Sequence, residues 1–90
     1  MNICFIKGKV IEEVDFKFYY CSKHISKAIV KIELENKSII TIKGYDEMAD
    51  WMYHYIETQN VLIVQGRVDN NMEVEVEWCR ICLERNMLKL

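Results

Sequence analysis

The stretch from Ser38 to Val68 constrains this chain more than any other. A β-branched run, Ser38 to Lys43, stops at Gly44. An amphipathic stretch follows from Asp46 to Ile56, and a second β-branched run, Val61 to Val68, carries Gly66 inside it. Met48, Trp51, Met52, Tyr55 and Ile56 recur at the i, i+3, i+4, i+7, i+8 spacing that makes one apolar stripe on a helix. Asp46 is placed to cap the start of that helix, Glu47 suits the positive end of its dipole, and Asn60 serves as a C-terminal stop. Strand, glycine, helix, strand with an internal glycine is the frame into which the rest must fit.

The flanking segments supply more strands. Residues 3–14 alternate, with Cys4, Ile6, Gly8 and Val10 on one side. Residues 15–26 mix aromatic and basic side chains without clean periodicity and read as a long loop. Residues 27–35 alternate again, with Ala28, Val30, Ile32 and Leu34 facing in, and Asn36 in the turn that follows is able to take positive φ. Ile40 and Ile42 face in from the next run, which makes a tight hairpin. After the helix, Leu62, Val64, Gly66 and Val68 share a face. Asp69-Asn70-Asn71 then turns the chain into a last strand, where Val74, Val76 and Trp78 point in. Beyond Trp78 the apolar side switches to Cys79, Ile81 and Leu83, which predicts a bulge near 78–80. Trp51 and Trp78 are both expected in the core.

The order is five strands with one helix between the third and fourth. Five antiparallel strands bury one face each by closing into a barrel, and the helix plugs its open end. The expected architecture is therefore all-β with one helix: a single OB-fold domain over residues 1–90, built as a five-stranded antiparallel Greek-key barrel. Ninety residues, 51% of them hydrophobic, suffice for one core. No run of about 18 apolar residues is present, so no membrane span is expected, and no signal-peptide pattern opens the chain. The cytoplasm is the expected compartment, and the four cysteines are expected as reduced thiols. The Cys79-Arg80-Ile81-Cys82 spacing is half a zinc site without a second pair, and an extended strand puts its two thiols on opposite faces. No Ser-His-Asp cluster and no phosphate-cradling glycine loop is seen. Neither catalysis, a metal nor a cofactor is expected.

The quoted segments resemble a family. Phe5-Ile6-Lys7-Gly8-Lys9-Val10 is similar to the opening strand of bacterial single-stranded DNA-binding proteins. Residues 40–52 resemble their third strand, glycine and helix, and residues 61–68 their fourth strand with its Gly-Arg step. Related OB-folds of the tRNA-anticodon and primosomal types share parts of this pattern. The resemblance implies single-stranded DNA or RNA as partner, little sequence preference, and a homodimer or homotetramer. Lys43 stands where that family usually places a stacking aromatic, and the loop between strands two and three is short here.

A single-strand groove needs cations and aromatic platforms. Net charge is −2, yet residues 16–31 hold four lysines, His24 and no acid. The candidate binding residues are Lys17, Phe18, Tyr19, Tyr20 and Lys23 in the first loop region, Lys31, Thr41 and Lys43 projecting outward from strands two and three, and Arg67 beside Gly66. Glu73, Glu75 and Glu77 would repel phosphate from the last strand. The competing reading is an OB module for protein docking or oligomerisation that uses Ile29, Ile39 and Phe18 and binds no nucleic acid.

Overall fold

A computed structural model describes residues 3–18 and 23–82. Its elements are β1 (Ile3–Val10), β2 (Asp15–Phe18), β3 (Ser26–Glu33), β4 (Ile39–Tyr45), α1 (Glu47–Tyr55), β5 (Val61–Val68) and β6 (Val74–Cys82). The strands join in the order β1-β5-β6-β4-β3-β2, and a β1–β3 pairing at Lys9–Glu33 and Val10–Ile32 closes five of them into a barrel. Four of its seams are antiparallel. The fifth, between β4 and β6, is a short parallel one with Ile42 beside Val74 and Lys43 beside Glu75.

The expected strand faces are present, and so is the helix stripe except at Tyr55, which is exposed because α1 ends there. Val10, Val30, Ile32, Ile42, Met52, Leu62 and Val64 are completely or almost completely buried, each worth roughly 1.5–3 kcal/mol of transfer free energy. Ala49, Met52 and Ile56 enter this core from the helix side, with Met48 and Trp51 packed partly buried at its margin. α1 lies against β2, β3 and β4. This is the OB arrangement.

The details differ from the sequence reading in several places. Residues 15–18, expected in a loop, pair with residues 26–29 of β3 as a sixth strand. Four residues are too few to show a period, and the partner strand supplies the order. In the two tight turns the left-handed positions are Lys37 and Met72, not an asparagine. The Asn36 side chain instead accepts a hydrogen bond from the Ser38 amide at 3.0 Å, which holds the turn from outside. The helix ends at Tyr55, with Ile56 extended at its C-cap. Trp78 is 44% exposed. The β5–β6 register slips between Gln65 and Gly66, so Glu77 is the unpaired residue of a bulge. The bulge comes one residue earlier than expected and turns Trp78 outward while Cys79 turns in.

Candidate nucleic-acid interface

β2, β3 and β4 present one continuous outer face, and their register fixes which side chains share it. Lys17 lies opposite Lys27, and Lys27 opposite Tyr45, so these three form one row across the sheet. The next row runs Asp15, Ile29, Lys43, and the one after it pairs Lys31 with Thr41. Opposed side chains in such a sheet stand about 4.5–5.5 Å apart at Cβ. Lys17 and Lys31 are exposed, while Lys27, Thr41 and Tyr45 are half-buried. The Lys17 ammonium has Asp15 3.8 Å away, an exposed pair of small energetic weight. The Lys27 Nζ lies 5.8 Å from the centre of the Tyr45 ring, within cation–π range.

At one end of this face the chain folds back on itself through Asp46. Asp46 has φ 54° and ψ −117°, a costly conformation for a residue with a Cβ. Its carboxylate accepts hydrogen bonds from the Ile25 amide at 2.7 Å, the Ser26 amide at 3.3 Å and His24 Nδ1 at 2.7 Å. These offset the strain, and they explain why Asp46, which occupies the N-cap position of α1 as expected, makes no side-chain capping bond there: its carboxylate is committed to the chain entering β3. The Ile25 amide first, and the His24 ring second, hold the Asp46 carboxyl below the usual carboxylate range. His24, fixed in this way, stacks on Tyr45 with ring centres 4.4 Å apart and planes 19° from parallel.

The predicted residues scatter over this geometry. Lys17, Lys31 and Thr41 come together on the outer face. Lys43 was expected to project outward as a binding residue, but it is 8% exposed and so is not available to a ligand. It points outward from β4, and the β5–β6 hairpin covers it, pairing its ammonium with Asp69 and, at 3.4 Å, with Glu73. Alternation in a strand specifies a side but not what lies over that side. Arg67 is exposed on β5, away from the lysine rows, with its Nε donating to Glu77 at 2.8 Å. Phe18 is on the opposite face of β2 from Lys17, edge-on to Phe16, whose ring meets Tyr53 of α1 at 4.8 Å. Lys23 and Phe18 line a shallow cleft with Ile25, Asp46, Glu47 and Asp50, whose three carboxylates disfavour phosphate. Tyr19 and Tyr20 lie outside the described residues.

Two residues of this outer face, Lys27 and Tyr45, were not among the predicted ones. The signal was present: continuing the alternation of β4 through Gly44 puts Tyr45 on the same side as Thr41 and Lys43. Among the described residues, no three His, Cys, Asp or Glu side chains converge as metal ligands. Cys79 faces inward opposite Val64, and burial, with the Cys82 charge adding, pushes its thiol up to about 11, which leaves it protonated and unreactive. No helix among the described residues is long and apolar enough to cross a membrane.

The closed barrel, its connecting helix and its parallel seam define an OB-fold chain. Solved structures share that fold. The SSB domain of a Synechococcus sp. protein superposes with a TM-score of 0.78 at 14% identity, covering 89% of this chain and 94% of that one. A mitochondrial single-stranded DNA binding protein from S. cerevisiae gives 0.78 at 10% identity, over 90% and 93%. A small single-stranded DNA-binding protein from Streptomyces coelicolor gives 0.73 at 11%, over 90% and 92%. At these identities the likeness is one of fold. No protein-family model matches the chain, and no curated protein matches it by sequence.

Proposed function

We propose that this chain binds single-stranded DNA, with little sequence preference, across the outer face of β2, β3 and β4. The carrying observation is the row Lys17–Lys27, two like charges directly opposed, with Lys31 on the same face. Like charges facing each other across a sheet cost stability in the free protein. A phosphate placed between them relieves that cost. The three similar structures are proteins described as single-stranded DNA binding or as an SSB domain, which supports the same reading. The role is that of a binder rather than an enzyme. We place it in the cytoplasm.

Three lysines holding phosphates give a slope of about −2 in log K against log salt, because single strands release about 0.7 counterion per contact. Affinity for oligo-dT should therefore fall about twentyfold between about 50 and about 200 mM salt. Fluorescence anisotropy measures this directly. The triple variant Lys17→Ala, Lys27→Ala, Lys31→Ala should lose most of the slope. Absence of binding at low salt, with protein at tens of micromolar, rules the proposal out. Oligo-rU run in parallel shows whether RNA is also taken.

The second reading, a protein-docking or oligomerisation module, is favoured by a separate surface. On the outside of β1, β5 and β6, Phe5, Gln65 and Trp78 form one row and Lys7, Ile63 and Arg80 the next. Phe5 is 68% exposed. A row with two large exposed aromatics fits a second copy of the chain, as a homodimer or as half of a homotetramer, and leaves the lysine face open. Light scattering should give a multiple of the single-chain mass, falling to one chain in the double variant Phe5→Glu, Trp78→Glu. A wild-type mass of one chain excludes the oligomer.

A further inference from the structure

β2 separates two surfaces of opposite character. Asp15 and Lys17 belong to the lysine face, while Phe16 and Phe18 point away from it, toward α1. Phe16 lies edge-on to Phe18 with ring centres 5.2 Å apart, and tilted against Tyr53 of α1 at 4.8 Å. The three rings make a ridge whose outer members are largely in solvent, Phe18 at 61% and Tyr53 at 55% exposed, with Ile25 at 63% in the same cleft as Phe18. A shallow cleft flanks each end of the ridge. Asp46, Glu47 and Asp50 stand in the one lined by Phe18, and Glu13 and Glu57 in the one lined by Tyr53. Among the described residues, Lys23 is the single cation lining either cleft. Asp46 is held by His24, whereas Glu13, Glu47, Asp50 and Glu57 form no ion pair with any described residue.

We propose that this aromatic ridge docks a partner protein, through a segment that is apolar in its middle and carries Lys or Arg on both sides. The charge pattern selects the occupant. The carboxylates repel a phosphate backbone, which disfavours nucleic acid on the side of β2 that faces α1. An uncharged apolar segment would cover the rings but leave carboxylates stranded at the edge of the contact. A Lys or Arg at each end meets a carboxylate and lies beside Phe18 or Tyr53, where the ring quadrupole adds to the attraction. Protein interfaces favour this arrangement, with aromatics at the centre and charges at the rim. The ridge is separate from the lysine rows and from the Phe5–Gln65–Trp78 row, so it rests on neither reading above.

Calorimetric titration with synthetic peptides tests this. The probe carries two lysines on either side of a Leu-Phe-Leu centre, and the control has glutamate in place of each lysine. Wild type should bind the lysine peptide and not the glutamate peptide. Glu47→Lys with Asp50→Lys should weaken the lysine peptide about tenfold, because two exposed attractions become repulsions. The same protein should bind the glutamate peptide better by a similar factor, an exchange that a misfolded protein could not show. Glu35→Lys with Glu75→Lys makes the same change in net charge at exposed positions elsewhere on the barrel, and should leave the lysine peptide within about twofold of wild type. Phe18→Ala with Tyr53→Ala should also cost about tenfold, with urea unfolding little changed because both rings are exposed. Absence of lysine-peptide binding by wild type at low salt overturns the proposal. So does equal weakening by the two charge-reversed proteins, which would mean attraction by net charge alone. If wild type is an oligomer by light scattering and the Phe18→Ala, Tyr53→Ala protein is a single chain, a second copy occupies the ridge and the partner reading falls.

Discussion

Gly66→Ala is expected to unfold the chain at room temperature or to cost it on the order of 3 kcal/mol or more, measured by urea denaturation. A Cβ added at Gly66 would lie 2.2 Å from the Glu75 carbonyl oxygen and 2.8 Å from Val74 Cγ1. The obstacle is backbone, so rotamer changes cannot relieve it. Nor is β6 free to retreat, because Val74 and Glu75 are the two residues that pair with Ile42 and Lys43 in the parallel seam. Moving them away from Gly66 strains the seam that closes the barrel. Gly44→Ala provides the contrast. There the added Cβ meets Met52 Sδ at 2.6 Å and Met48 Cγ at 2.7 Å, both in flexible side chains. About 1–2 kcal/mol is expected for that variant, as for moderate overpacking. A Gly66→Ala protein as stable as Gly44→Ala would show that the bulge on β6 is looser than this packing implies.

The two glycines were legible in the sequence as interruptions of apolar runs, and the helix stripe and inner faces of β3, β4 and β5 were legible as periods. What the sequence hid has a common cause, in that each hidden feature depends on a partner strand. β2 exists through its pairing with β3. Trp78 is outside because the bulge falls at Glu77, where the alternation of valine and glutamate gives no local sign of it. The proposed binding face was legible in kind, as a basic segment free of acids between residues 16 and 31. It was not legible in detail, because only register shows that Lys17 shares a face with Lys27 and Tyr45 while Phe18 is turned toward the helix. Ending β4 at Gly44 hid Tyr45, the ring that stands on the face where Lys43 supplies none.

Lys43 carries the second large effect. Its side chain is only 10% exposed and is held between Asp69 and Glu73, which fastens the β5–β6 hairpin over β4. Burial alone would push its pKa down, but the hydrogen bond from its ammonium to Asp69 and the other negative groups around it outweigh this, and the net shift is upward from 10.5. Asp69 is drawn down to about 2, first by Lys43 and then by the Glu73 amide. The two signs define a window. Asp69 contributes stability above the ordinary carboxylate range near 3.8, and the contribution is lost as pH falls toward about 2. Lys43 contributes below about 10.5 and the contribution is lost as pH rises through its higher folded value. Lys43→Met keeps the length and removes the charge, leaving two carboxylates facing a vacant place. Both remain partly hydrated, so the loss should fall short of that for a fully buried pair, at about 1–3 kcal/mol near neutral pH. The difference from wild type should narrow between about pH 4 and pH 2, as the stranded carboxylates gain protons and the wild type loses its pair. Urea midpoints against pH measure this, and a constant difference across that range would mean that the pair contributes nothing. Oligo-dT binding by Lys43→Met should keep its salt slope, because this lysine is already neutralised inside the protein and has no charge to offer a phosphate.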